Sequence, residues 1–390
     1  MTARDERGSV LVLALLTMLL VLTAAMSLSH DASRRLMVAV RIADGAEAQY
    51  LSGAGLEYAC VRLGLDSSWT AAENVAPDPE GGTFKVVAQS ITELTRALVS
   101  TGVRNETLDT VTGTARPVPH PSLAYHGCAF GVITFESGAN VANALLRSHG
   151  DVNATAPILF GGQVTAPDGA LVTSLILPAQ VVRVSGALPA LAPSAAFFAA
   201  RCTPLTGLPE PTPGTLLMEH AALTSTLNSL GPTPGPGGRY TIDCLGKSLR
   251  IRRSFLRGML VARNCAGLSV EDGVHFERHD TIYPTLLCYG GPMTIRLSDV
   301  LNEFGDGIDY NGDGDDDDVH ASEIAGIAWG SAGVVLRGSG TIRGCLIGTS
   351  LTLGESPLFQ SDPALENDRV LGFISSSPWE LDPGSMGVRE

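Results

Sequence analysis

Aromatic residues make up only 5% of this 390-residue chain and charged residues only 17%. With 44 Gly and 23 Pro, so few aromatics argue against a compact helical protein and favour many short strands joined by tight turns. The seven cysteines, at 60, 128, 202, 244, 265, 288 and 345, contain no C-x-x-C pair, which removes the usual zinc-ribbon and thioredoxin readings. No G-x-S-x-G and no H-E-x-x-H occurs, and Gly246-Lys247-Ser248 lacks the earlier glycine of a phosphate loop because Thr241 stands there. Catalysis is left with no named residue, and the chain is expected to be non-enzymatic. Basic residues are also short: 26 Lys and Arg against 40 Asp and Glu give a net charge of −14, a field that repels nucleic acid.

What is present begins with Ser9 to Leu28, an unbroken apolar run without charge or proline. At about 20 residues and ~1.5 Å of helical rise each, it matches the roughly 30 Å hydrocarbon core of a bilayer. The short charged leader Met1–Gly8 precedes it, and no A-x-A-like site follows it, so this is not an ordinary signal peptide removed after its apolar region. Arg4 and Arg7 lie before the span but Arg34, Arg35 and Arg41 lie after it, so basic residues alone do not orient it.

Arg7-Gly8 followed by Ser9-Val10-Leu11-Val12-Leu13-Ala14 resembles the leader of type IV pilins and pseudopilins. There a prepilin peptidase cuts on the cytoplasmic face after the glycine, and the apolar helix stays on the mature protein. The resemblance implies processing between Gly8 and Ser9. Most major pilins carry Glu at the fifth residue after that glycine; here it is Leu13, as in PilX-like pilus assembly proteins and the tip pseudopilin of type II secretion. The stretch Asp44 to Ala59 is similar to the A-x-x-A-E-A-G-L-E-x-A segment of PilX-like proteins, split by Tyr50 to Gly53. The implied protein is a minor pilin or assembly factor of a bacterial inner membrane. Its exported body would be periplasmic or filament-borne, with prepilin peptidase and other pilins as partners and no nucleic acid. Alternatives are a type II secretion tip pseudopilin, whose body is largely helical, and a membrane-anchored β-solenoid adhesin or hydrolase.

Beyond the span, Leu36, Val40, Ala43, Ala46, Tyr50, Ala54, Tyr58 and Val61 recur at spacings of three and four, which predicts an amphipathic stem continuing the helix to about residue 63. Gly45, Gly53 and Gly55 each cost such a helix about 1 kcal/mol relative to Ala, so a packed partner must hold it. That partner is either the protein's own body or other pilin helices. Residues 64–127 read as an α/β linker region, with a strand and then a short helix over 83–104.

Residues 128–203 and 239–373 read as two sets of β-rich coils. Period-2 pairs such as Leu249/Ile251, Leu268/Val270, Val274/Phe276, Ile295/Leu297 and Leu351/Leu353 alternate with Gly-rich turns. Each pair is too short to bury a face alone, whereas stacked coils would bury a continuous core. The fold expected is an N-terminal transmembrane and amphipathic helix followed by a mainly β body, an irregular β-solenoid rather than a β-sandwich. Ile342-Arg343-Gly344 and Asp362-Pro363-Ala364-Leu365 resemble the recurring coil phrases and the closing D-P-x-L of PilX-like bodies. Residues 204–238, rich in Pro and Gly, read as a linker carrying a short helix over 216–230, and 374–390 as a C-terminal tail.

An acidic insertion, 302–320, interrupts the second set. Asp309, Asn311, Asp313, Gly314, Asp315 and Asp317 fit the opening of a calcium loop, in which hard oxygens wrap a cation. The pattern then fails, because His320 stands where the bidentate acid belongs and no helical pattern enters the loop. Calcium held by Asp309, Asn311, Asp313, Asp315 and Asp317 and a solvated acidic insertion are both consistent with it. His275, Glu277 and His279 would share one face of a strand and could hold a metal, although exposed alternation explains them equally. Arg250, Arg252, Arg253 and Arg257 form the only basic cluster and lack interleaved aromatics. An exported body meets an oxidising compartment, so disulfides are plausible, with an odd thiol left over.

Overall fold

A computed structural model describes residues 5–77, 81–363, 365, 369–375 and 379–388. The chain divides into two units, one formed by residues 1–117 with 377–390 and the other by 118–376.

The first unit is built on one continuous helix, α1 (Asp5–Leu65). From Val12 to Ala43 its side chains are exposed, including Leu13, Met18, Leu20 and Leu28. Only its C-terminal part is covered, by an antiparallel meander of β1 (Ala71–Val75), β2 (Thr83–Thr92), β3 (Thr95–Arg104) and β4 (Thr107–Arg116). Region 64–127 is therefore mostly sheet, and the short helix expected within 83–104 is β3. The alternation Leu98, Ser100, Gly102 turns one face of β3 inward, and a period of two outweighs the weak helical spacing there. The C-terminal segment is more than a tail: Glu380–Leu381 and Gly387–Val388 add short strands to β4, and buried Trp379 packs into this core.

Of the expected stripe, Leu36, Val40, Ala43, Ala46, Tyr50 and Val61 are exposed, while Ala54 and Tyr58 are half-buried against this core. The buried face is Ala48, Leu51, Ser52, Leu56, Ala59 and Leu63. Small residues win because the helix lies very close to the sheet. A Cβ on Gly55 would stand 2.0 Å from Ser100 Oγ, and one on Gly102 of β3 would stand 2.0 Å from the Ala48 carbonyl oxygen. Gly55 is thus held by the protein's own body, whereas Gly45 and Gly53 have open space beside them.

The second unit is a parallel β-solenoid. One ladder runs through Thr203–Leu205, Arg239–Asp243, Met259–Cys265, Leu286–Gly290, Glu323–Gly330 and Thr341–Gly348. It then continues through Gly127–Ala129, Leu145–Ser148, Gln163–Pro167 and Val181–Val184. The earlier segment of the sequence is thus stacked beyond the later one, and the two expected sets of coils form a single pile. Inward residues line up from coil to coil. One column is Met218, Ile251, Val270, Ile295, Leu336, Leu353 and Phe135; another is Leu249, Leu268, Met293, Val334, Leu351, Ile133 and Val152. Each residue in both columns is buried, and they belong to one continuous core.

Residues 204–238 are part of this pile and carry no helix over 216–230. Strands Thr215–Glu219 and Ala222–Leu223 pair with Ser248–Arg257 and form its terminal coil. Prolines are tolerated there because an end coil has a free edge: Thr203–Leu205, which contains Pro204, is paired on one side only, against Arg239–Asp243. At the closing turn Asp362 pairs with Arg278 at 2.9 Å, and Leu365 is buried.

Gly326 and Gly344 face one another in register with φ of 106° and 131°. A Cβ on Gly344 would meet the Gly326 carbonyl oxygen at 2.3 Å. Gly344→Ala is therefore expected to destabilise the solenoid by about 2 kcal/mol or more. Denaturant unfolding checks this, and an unchanged midpoint would contradict the stacking register.

Candidate functional site

The insertion leaves the solenoid after Met293–Leu297 and returns at Glu323–Gly330. Its base is a two-residue antiparallel ladder, with Leu301 opposite His320 and Asn302 opposite Val319. Between them comes a single helical turn, Glu303–Asp306, contrary to the expectation that no helix enters the loop. Asn302 Oδ1 caps it by accepting from Gly305 N at 3.1 Å, and Gly307, at φ 66°, ends it by donating its N–H to the Glu303 carbonyl. A cap, four residues and a left-handed glycine are too short to show a helical period in sequence.

That turn carries Glu303 into the interior, where it is fully buried. Its Oε1 accepts from Tyr310 N at 2.8 Å and Asn311 N at 3.2 Å, and lies 3.0 Å from His320 Nε2. Its Oε2 is buried with no hydrogen-bond partner. Tyr310 is buried among Ala222, Phe255 and Leu301. Its hydroxyl lies 3.1 Å from Asp306 Oδ2 and 3.0 Å from His220 Nδ1, and burial together with the Asp306 charge pushes its pKa up. The His320 ring packs 5.0 Å from Phe255 and 5.3 Å from His275.

The residues expected to bind calcium are only partly brought together. Asp309 is used by the turn itself: Oδ1 accepts from Gly312 N at 2.6 Å and Oδ2 from Gly314 N at 3.0 Å. Asn311 Oδ1 accepts from Asp313 N, while its Nδ2 donates to Asp313 Oδ2 at 2.9 Å and Asp318 Oδ2 at 2.7 Å. Asp313 and Asp315 each bring a carboxylate oxygen within 4.8 Å of one on Asp318, and Asp317 is not in that group. A hydrogen bond with Asp317 and the charges of Asp313 and Asp317 raise the Asp315 pKa. A second group, Glu303, Asp318 and His320, has one ligand atom from each within 4.8 Å of the others. The loop motif missed Glu303. The signal was His320, in the place of the missing acid, with Asp318 just before it.

His275, Glu277 and His279 do not share one strand face as expected, because the strand Gly267–Glu277 ends before His279. His275 stacks on Phe255 at 5.3 Å, and its Nδ1 lies 2.9 Å from the Ala321 carbonyl oxygen. The four arginines of the basic cluster are each paired with a carboxylate: Arg250 with Glu271, Arg252 with Glu219, Arg253 with Asp306 and Arg257 with Glu277. No two of the seven cysteines are bonded in this structure, although Cys244 Sγ and Cys265 Sγ, on neighbouring coils, lie 2.6 Å apart. Burial pushes Cys60 up to about 11 and Cys128 and Cys202 up to about 12, which makes them poor nucleophiles at neutral pH.

No family model matches this chain, and no curated protein does. Among solved structures it is similar to the competence-associated pilin ComZ from Thermus thermophilus, at 9% identity and a TM-score of 0.33, over 89% of this chain and 97% of that one. It is also similar to a domain of an ice-binding protein from Shewanella frigidimarina, at 13% identity and a TM-score of 0.33, over 63% of this chain and 98% of that one. Both likenesses are too distant to say what this chain does.

Glu277 supplies a pH signature. Burial alone would raise it, but His275, 3.9 Å away, and the hydrogen bond and charge of Arg257 hold it down, from the ordinary 4.5 to about 2. A carboxylate depressed in the folded state adds stability that is complete above its unfolded pKa and lost as pH falls through the folded one. Unfolding free energy should therefore drop between about pH 4.5 and 2 by up to about 3 kcal/mol, and Glu277→Gln should remove that share of the slope. Chemical denaturation across that window checks it.

Proposed function

We propose that this protein is a non-enzymatic, pilin-like minor subunit or pilus assembly factor, inserted in the bacterial inner membrane by α1 and carrying an exported β-solenoid body. The observation that supports this most directly is the division of α1. Its first part, through Ala43, exposes an apolar surface of Leu, Val and Met, and none of its most apolar window is covered by the protein. A continuous exposed apolar surface of this extent requires another covering phase. The run Ser9–Leu28 has the length of a bilayer core, and the helix continues without a break into the segment that packs on β2–β4.

Gly8 and Ser9 lie in α1, while Met1 to Arg4 of the leader lie outside the described residues. The proposed maturation is cleavage between Gly8 and Ser9 by a prepilin peptidase, with other pilins as partners. A strand-built body supports the pilus-assembly reading over a type II secretion tip pseudopilin, whose body would be largely helical. Mass spectrometry of protein extracted from membranes with an active prepilin peptidase should find Ser9 at the N-terminus. An intact leader, or loss of the whole apolar run, would sink the proposal.

Leu13 bears on abundance. An acidic side chain at that depth would need a partner, because an unpaired charge in the bilayer costs several kcal/mol. A subunit with Leu13 neither offers nor requires that pairing, which suits a low-copy position. Quantitative mass spectrometry of sheared filaments is expected to find it far below the major subunit; equal stoichiometry would contradict this.

A further inference from the structure

The deep end of the insertion is chemically different from its acidic rim. Glu303 Oε1 is saturated, while Oε2 is buried and without a donor. A buried carboxylate oxygen left in that state carries its full desolvation penalty. Asp318 and His320 bring one ligand atom each within 4.8 Å of Glu303 and of one another. Donors around one cation, at metal–ligand bonds of about 2.0–2.2 Å, stand roughly 3–4 Å apart, so a small closure completes the set.

We propose that Glu303, Asp318 and His320 form a binding site for a first-row divalent cation of the zinc class, which ties the two arms of the insertion's base together. The donor chemistry selects the cation: calcium and magnesium take oxygen ligands, whereas one imidazole with two carboxylates suits zinc and its neighbours. The donors come from both arms of the base, Glu303 following Asn302 and Asp318 and His320 at Val319. Outer contacts orient them. Asn311 Nδ2 donates to Asp318 Oδ2, and His320 is wedged against Phe255 and His275. The exposed Asp313 and Asp315 add negative potential at the mouth. The competing arrangement is His320 Nε2–H donating to Glu303 Oε1 at 3.0 Å, with no metal. It leaves Oε2 without a partner.

The test uses the full chain in detergent, stripped with chelator and then titrated separately with Zn2+, Co2+ and Ca2+. One zinc per chain should survive desalting, as measured by elemental analysis, and should raise the thermal midpoint. Glu303→Gln and His320→Gln should each weaken zinc binding by about tenfold or more, while Asp309→Asn and Asp315→Asn stay within about threefold. Cobalt should give visible ligand-field bands that His320→Gln alters. Should Glu303→Gln fail to fold, His320→Gln alone decides the point. No retained zinc, zinc binding indifferent to His320, or a thiolate charge-transfer band showing cysteine ligation would each overturn the assignment. Calcium retained in place of zinc, with Glu303→Gln and His320→Gln indistinguishable from the parent, would overturn it in favour of the acidic rim.

Discussion

In-register stacking of parallel coils is the constraint on which the solenoid depends. A coil here contributes strands of three to five inward and outward positions on most faces, too few to bury an apolar surface alone. Burial comes only when Ile251 sits over Val270, Val270 over Ile295 and Ile295 over Leu336. A shift of one residue would turn every such column outward, so the fold is specified by alternation rather than by any single large side chain. This is why so few aromatics suffice. The two columns are filled by Leu, Ile and Val with Met218, Met293 and Phe135, and Phe160, Tyr240, Phe276 and Phe359 are the other aromatics of the same core.

The outer faces repeat the same geometry in charge. Arg252 reaches Glu219 on one neighbouring coil, Arg250 reaches Glu271 on the other, and Arg343 and Arg337 reach Glu323 and Glu136. Exposed pairs of this kind contribute at most about 1 kcal/mol each. Their larger effect is to penalise misregister, since a slipped ladder would bring like charges together. The pairing also accounts for the only basic cluster in an acidic chain. Three of those arginines neutralise carboxylates on adjacent coils, and Arg253 pairs with Asp306 of the insertion.

Local alternation was legible in the sequence, and whatever depends on chain return was not. The pairs Leu249/Ile251, Leu268/Val270 and Leu351/Leu353 all stand in the columns, because a period of two is written in adjacent residues. Nothing local says that Cys128 will lie opposite Ile347, which puts the first coils at the far end of the pile. In the segment 216–230, Leu216, Leu217 and Met218 are good helix formers, but pairing with Ser248–Arg257 overrides that propensity. The insertion divides in the same way. Asp313 and Asp315 could be found from spacing, but Glu303 meets His320 only after the base ladder closes, and its burial is a tertiary fact.

The helix poses a question of covering surface that the body answers only in part. Packing on the meander begins at Ala48, and the bilayer-length run ends at Leu28. Between them lie residues 29–47, about 28 Å of helix, exposed throughout 29–43, where Leu36, Met37, Val38, Val40 and Ile42 are interspersed with Arg34, Arg35 and Arg41. A bilayer of ordinary thickness cannot hold this segment along with the apolar run. The protein's own sheet reaches only its last turn, where Asn105 donates to Asp44 and Arg104 pairs with Glu47. Self-packing, one of the two expectations for the stem, therefore holds for the stretch from Ala48 onward, and the stretch before it is left mostly uncovered by the protein itself. Gly55 belongs to the first, closed against Ser100. Gly45, before the packed stretch, and Gly53, within it, have nothing within 4 Å of where a Cβ would stand, so at neither position does the protein's own body require glycine.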